Sequence, residues 1–227
     1  MKFWLDRGVD GFRLDVFNCY HKNRKYENNP FRWNLLSVLA KPVYPYISYQ
    51  HLHCRDQQEM FGTLSRNTRQ VRGTCNNVRG LFFGGYGAAD PYPTVNHIDF
   101  ITIASEGNSL DFGNMTDSRY YTASASSSTR SVTMGGHTPG SSTNSMEYVE
   151  ITTLGNAIDF GDMSAARLTD GSAFSSPIEA FVCGGHPAAN ESYEVLRIAS
   201  TGSSVAGDKI SSGNQWPGAG CSNSTRG

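Results

Sequence analysis

In the second two thirds of the chain, apolar residues fall in short alternating runs punctuated by glycine. Residues 96–103 (NHIDFITI) put Ile98, Phe100 and Thr102 on one side and Asp99, Ile101 and Ile103 on the other, the two-residue period of a strand. Residues 80–83 (GLFF) run into Gly84-Gly85, which suits a strand end where two backbones approach closely. Gly107-Asn108 predicts a turn, and Asp111-Phe112-Gly113 and Asp159-Phe160-Gly161 predict further turns. Strands beginning near Arg119 and Arg167 would then close each group.

These runs are repeated. Gly84-Gly85 returns as Gly135-Gly136 and as Gly184-Gly185, and Ile103 returns as Ile151 and Ile198. The stretch from Leu154 to Met163 (LGNAIDFGDM) answers that from Glu106 to Met115 (EGNSLDFGNM). A period of about 48–51 residues falls in the range of kelch-type propeller blades, in which each unit buries its apolar face only when a neighbour stacks on it. The expected architecture is mainly β, with about three blade-like, kelch-like repeats at 79–127, 128–176 and 177–223 and the opening of another at 224–227. Propellers commonly close with four to eight blades, so three units imply either a slice of a longer array or a homo-oligomer whose copies complete one another.

Residues 1–67 follow a different pattern. Lys2 to Leu5 read as the last turn of a helix ended by Gly8, and residues 11–16 (GFRLDV) read as a short strand with Phe12, Leu14 and Val16 on one face and Arg13 and Asp15 on the other. A guanidinium beside a carboxylate on one strand face keeps it ionised and oriented, as a nucleophilic carboxylate requires. A structural ion pair gives the same spacing. Further on, Asp56 with Glu59 fits a helix capping box, with Met60 and Leu64 as the buried face of that helix. Residues 68–77 are polar, basic and aperiodic, which predicts a linker.

Composition sharpens the division. The chain has 227 residues and a net charge of -1. Residues 1–76 carry 12 Lys and Arg against 6 Asp and Glu, and the remainder carries 7 against 14. The basic part has neither aromatic interleaving nor a glycine-rich loop, which argues against a nucleic-acid partner. No run of 18 apolar residues predicts a membrane span. Asp6, Arg7 and Asp10 interrupt any signal-peptide core, which leaves a cytoplasmic or virion-associated expectation. Five cysteines without CxxC spacing read as free thiols. No cofactor is expected. Asp111, Asn114 and Asp117, or Asp159 and Asp162, offer oxygens for calcium, but turn chemistry explains them equally well.

Residues 3–16 (FWLDRGVDGFRLDV) resemble the fourth-strand region of the α-amylase superfamily, in its α-glucosidase and oligo-1,6-glucosidase branch. Asn29-Pro30-Phe31, Tyr49-Gln50-His51-Leu52 and the stretch from Arg55 to Met60 are similar to the same branch. The resemblance implies a small α/β fragment of a (β/α)8 barrel over residues 1–67, with Asp15 as catalytic nucleophile, Arg13 as the arginine beside it and Val16 as a residue that accompanies α-1,6 preference. It also implies a partner acid, a glutamate at the end of the fifth strand, which falls beyond the similar stretch. Retaining hydrolysis needs both carboxyl groups about 5–5.5 Å apart. Asn96-His97-Ile98-Asp99 superficially matches another motif of that family, yet it aligns with Asn144 to Glu147 in the next repeat, which assigns it to a strand.

Residues 79–227 resemble, in the style of their repeats, kelch-like arrays of virion and tail structural proteins from marine tailed phages. The expected function is a non-catalytic repeat-β surface or virion-type module that contacts glycans or virion and cell-surface proteins through its loops. The alternative is a retaining α-glucosidase acting on α-1,4 or α-1,6 bonds through Asp15.

Overall fold

Three four-stranded antiparallel sheets, each a meander in chain order, make up the core of the computed structural model. The structure describes residues 46–49, 59–87, 91, 93–170, 172–187 and 192–210. Unit one consists of Arg72–Cys75, Arg79–Phe83, His97–Thr102 and Leu110–Asn114. Unit two consists of Ala123–Ser126, Arg130–Met134, Ser145–Glu150 and Ile158–Asp162. Unit three consists of Ala173–Ser175, Glu179–Cys183, Ser192–Arg197 and Val205–Lys209. No helix occurs among the described residues, and the fold is mainly β as expected.

The repeat starts its sheet one strand earlier than the sequence suggests. Residues 68–77, expected as a linker, hold the short strand Thr68–Arg69 and the first strand of unit one. A tight turn joins the first strand of each unit to its second. Asn76 Oδ1, Ser127 Oγ and Ser176 Oγ each accept the next two free backbone N–H groups, from Val78 and Arg79, Thr129 and Arg130, and Ile178 and Glu179. A short polar side chain at this position satisfies the donors that the reversal would orphan. The first strands carry small residues because they crowd together. Thr74 bonds Ser131 across units, Ser126 Oγ donates to the Cys75 carbonyl, and Ser175 Oγ donates to the Ser126 carbonyl.

Second and third strands pair as the alternation predicts, with Leu81 opposite Phe100 and Phe83 opposite Ile98. The Gly-Gly pair follows each second strand. Gly84 and Gly85 have φ of 56° and 101°, values repeated closely at Gly135 and Gly136, and a Cβ at Gly84 would collide with the Arg119 carbonyl. Asp111-Phe112-Gly113 and Asp159-Phe160-Gly161 are not turns. They lie within fourth strands, which pair with the third strands across a bulge between Ile98 and Asp99 or between Met146 and Glu147. The strands expected to close the units near Arg119 and Arg167 are short side pairings instead. Tyr120 bridges His137, and Arg167–Leu168 pairs His186–Pro187.

Stacking of units forms the core. One face of unit one (Leu81, Phe83, Ile98, Phe100, Phe112) packs on Val149, Ile151 and Ala157 of unit two. Val132, Met134, Met146 and Phe160 of unit two pack in turn on Ala180, Val182, Leu196 and Ile198 of unit three. The fourth strand supplies the seam, because its carbonyls accept N–H groups from the loop of the following unit. Phe112 and Asn114 accept from Gly155 and Ala157 at 2.9 and 2.8 Å, and Phe160 and Asp162 accept from Gly202 and Ser204 at 2.6 and 3.0 Å.

The same seam occurs once more, upstream. Phe61 and Thr63 accept from Gly107 and Ser109 at 2.8 and 2.9 Å, and Phe61 packs with Phe82 and Ile101. Glu59–Thr63 is a strand, paired antiparallel with Tyr46–Tyr49. The helix expected there from Asp56 and Glu59 is overridden, since the backbone of 61–63 is bonded across to unit one. Phe61-Gly62 thus corresponds to Phe112-Gly113 and Phe160-Gly161. The barrel-fragment reading of residues 1–45 lies outside the described residues.

Candidate functional site

Asp15 and Arg13, the residues that the glycosidase resemblance singles out, lie outside the described residues, as does Val16. The described carboxylates form another pattern, which sequence reading missed. Asp99, Glu147 and Glu194 occupy the same place on successive third strands, and all three are buried. Each gathers the hydroxyl and backbone N–H of the residue that begins the preceding link. Asp99 accepts from Ser65, Glu147 from Thr116 and Glu194 from Ser164, at 2.6–3.0 Å.

Three residues after Thr116 and Ser164 come Arg119 and Arg167, both fully buried. Arg119 pairs with Glu147 and donates to the Ser145 carbonyl at 2.9 Å. Arg167 pairs with Glu194 at 2.7 Å. Their backbones belong to the previous unit, since Gly85 N–H donates to the Arg119 carbonyl and Gly136 N–H to that of Arg167. Each arginine therefore ties two units together. Upstream the corresponding residue is Thr68, and the shorter Asp99 takes Ser109 Oγ at 2.9 Å and His97 Nε2 at 3.3 Å instead. The signal in the sequence was the recurring phrase Met115-Thr116-Asp117-Ser118-Arg119 and Met163-Ser164-Ala165-Ala166-Arg167.

Carboxylates held in this way are structural. Burial alone would raise the Glu194 carboxyl above its ordinary value. The hydroxyls of Ser164 and Ser204, the Ser164 N–H and Arg167 outweigh burial and hold it below. A carboxylate with its lone pairs occupied is stabilised in its charged form and takes up no proton near neutrality. Because the folded value is depressed, the stabilisation is fully present above the ordinary value of 4.5 and is lost as pH falls through the folded value. The melting temperature of the chain should be level from pH 7 to about pH 5 and drop below it, and Glu194→Gln should flatten that drop in thermal scans across the acid range.

Asp111 and Asp159, considered as calcium ligands, stand exposed on the fourth strands. Among the described residues no three His, Cys, Asp or Glu side chains group as metal ligands. Cys183 is a free thiol. His97 begins the third strand of unit one, as its register with Ser145 predicts.

Chemistry converges instead just before the first strands. Three non-glycine residues adopt the left-handed conformation, one per unit: Gln70 (φ 57°), Tyr121 (φ 54°) and Asp170 (φ 38°). Such residues are uncommon and cost of order 1–3 kcal/mol each. Because the first strands lie side by side, these residues meet. Arg72 donates to Gln70 Oε1 at 3.3 Å and to the Thr122 carbonyl at 3.2 Å, and it pairs with Asp170. The Asp170 N–H donates to the Tyr121 carbonyl at 3.0 Å. Tyr121 lies 4.9 Å from Tyr120, whose ring in turn packs 5.1 Å from Tyr86 and 5.2 Å from His137. Thr122 Oγ1 and His137 Nδ1, beside these rings, are buried and accept or donate no hydrogen bond within the protein.

Comparison with known proteins supports the glycosidase-related reading for part of the chain. A stretch of 69 residues, 29% of the chain, is 39% identical to a probable α-glucosidase of Rhizobium meliloti, of which it covers 12%. An α-glucosidase of Culex pipiens is 37% identical over 62 residues, covering 27% of the chain and 10% of that protein. An α-glucosidase of Schizosaccharomyces pombe is 53% identical over 30 residues, covering 13% and 5%. The chain thus spans about an eighth or less of these relatives' length and contains a glycosidase-related segment. No family model matches the chain. No helix among the described residues is long and apolar enough to cross a membrane.

Proposed function

We propose that this chain works as a non-catalytic binding module of stacked, blade-like β-units that carries a glycosidase-related segment. The observation that carries this reading is the strand Glu59–Thr63. It docks on unit one through the bonds that join unit one to unit two and unit two to unit three. Within a region that resembles the glucosidase branch, the chain has therefore already entered the repeat. The buried carboxylates of the repeat are engaged by hydroxyl and backbone N–H donors, and two of them by arginines, which favours a structural role over that of a general acid. The stacked four-stranded sheets support the blade-like part of this reading, and a virion-type role is proposed with it. Glycans or virion and cell-surface proteins are the proposed partners, with further units or a second copy extending the array.

The α-glucosidase relatives favour a second reading, a retaining hydrolase with Asp15 as nucleophile and Arg13 beside it. Release of chromophore from 4-nitrophenyl α-glucoside separates the two. The module reading expects no release above buffer from the chain and none from Asp15→Asn. Turnover by the unsubstituted chain that disappears in Asp15→Asn would move the assignment to the hydrolase.

A further inference from the structure

From the cluster ahead of the first strands we infer a binding site for a neutral saccharide, centred on Tyr121 between units one and two. The inference rests on the binding-module reading and names the ligand class for it. Four features of the cluster point to this ligand.

The first is backbone cost. Gln70, Tyr121 and Asp170 hold left-handed conformations at the same point of each unit, and strain of this kind persists where the surroundings fix it for a purpose. A turn that only reversed the chain would be served by glycine, which takes such angles without steric cost.

The second is the aromatic surface. Tyr120, Tyr121 and His137 are half-buried and their rings pack in a row. The apolar face of a pyranose ring packs on such a surface while its hydroxyls stay at the rim, the usual division of labour in a small-molecule site.

The third is unmet hydrogen-bonding capacity. Thr122 is 1% exposed and its Oγ1 has no partner, and His137 Nδ1 is likewise buried without one. Both flank Gly136, where a Cβ would meet Thr122 Cγ2 at 2.7 Å. Buried polar atoms are nearly always satisfied, and leaving one unmade costs about 1–3 kcal/mol. A ligand hydroxyl, which both donates and accepts, can serve either a threonine hydroxyl or an imidazole nitrogen.

The fourth is charge. Arg72 is engaged by Asp170 and Gln70, so the cation that would select phosphate or sulfate is already neutralised. The Arg72–Asp170 pair, with side chains 25% and 28% exposed, offers fixed donors and acceptors of both signs. That arrangement matches the mixed hydroxyls of a neutral sugar better than it matches an anion.

The test is titration of the full chain with maltotriose, mannotriose and lactose, read by saturation-transfer NMR and calorimetry. A heparin trisaccharide serves as the anionic comparison. At least one neutral sugar should bind, Tyr121→Ala should weaken that binding tenfold or more, and Tyr121→Phe should retain it within about threefold. His137→Ala should also weaken it, with melting temperatures verifying that each variant is folded. Asp15→Asn should bind as the unsubstituted chain does, which separates this site from the glycosidase-related segment even if that segment proves active. Binding lost only in Asp15→Asn, binding of the heparin trisaccharide alone, or no binding of any of the three neutral sugars at millimolar concentration would each overturn the assignment.

Discussion

Arg167→Ala should destabilise the chain by about 3–5 kcal/mol, the range found when one partner of a buried ion pair is removed and its counter-charge is left behind. Arg167 and Glu194 are both fully buried, and the substitution leaves the Glu194 carboxylate with its hydroxyl and amide donors but no cation. The loss should appear in urea as a lower midpoint with an unchanged slope, since the surface exposed on unfolding stays the same. Arg167→Met combined with Glu194→Leu should cost clearly less than Arg167→Ala alone, because apolar replacement of a whole buried pair is often neutral or stabilising. A double-mutant cycle would give the coupling directly. The upstream interface shows that the array can be built otherwise: Thr68 stands where Arg119 and Arg167 stand, and the carboxylate there is the shorter Asp99.

Gly161→Val should be comparably damaging, for a steric reason. Gly161 has φ 134°, and a Cβ there would lie 2.6 Å from the carbonyl oxygen of Gly202 in the next unit. The seam would have to open, losing the bonds from Gly202 to Phe160 and from Ser204 to Asp162. Two such bonds at roughly 1 kcal/mol each, with left-handed strain of about 1–2 kcal/mol, bring the expected cost to about 3–4 kcal/mol in the same urea experiment. Gly140→Val is the control. Gly140 also has positive φ, at 114°, but a Cβ there meets nothing within 4 Å, so only the strain should register.

Much of the repeat was legible in the sequence because its long apolar residues sit where stacking needs them. Ile98 and Phe100 alternate with Asp99 and Ile101 as a strand requires, and the correspondence of Ile103, Ile151 and Ile198 holds to the level of one backbone bond. Their N–H groups donate to Val78, Thr129 and Ile178 in turn. The first strands are hard to see because they are short and their buried positions, such as Thr74, Ala123, Ala125, Ala173 and Ser175, are small. They pair with the second strands of their own units and lie against first strands of neighbouring units, a packing that local periodicity does not encode. Asp111-Phe112-Gly113 reads as a turn by composition. Its glycine serves close approach between units instead of chain reversal. The capping box at Asp56 and Glu59 is a sound local signal that a cross-unit bond network outweighs in the strand Glu59–Thr63.

The candidate site was less legible than the fold. Arg13 and Asp15 stood out through resemblance, whereas Tyr121, Thr122 and His137 have no motif. Tyr121 and Thr122 meet Arg72 and Asp170 because the first strands lie side by side, and His137 joins them through its bridge to Tyr120. The buried Arg119–Glu147 and Arg167–Glu194 pairs join residues 28 and 27 positions apart, too far for spacing rules within one element to find. The repetition of the Met-Thr/Ser-x-x-Arg phrase was the available clue.

One stacked array includes the strand Glu59–Thr63 and runs on through three units by a shared seam. Amide hydrogen exchange of the intact chain tests it most directly. The N–H groups of Gly107, Gly155 and Gly202 all lie in loops, and each donates to the preceding unit's fourth strand. All three should exchange about as slowly as the mid-sheet amides of Val132 and Phe100. Exchange at Gly107 as fast as in an open loop, with Gly155 and Gly202 protected, would contradict the upstream seam and return residues 59–63 to the glycosidase-related segment.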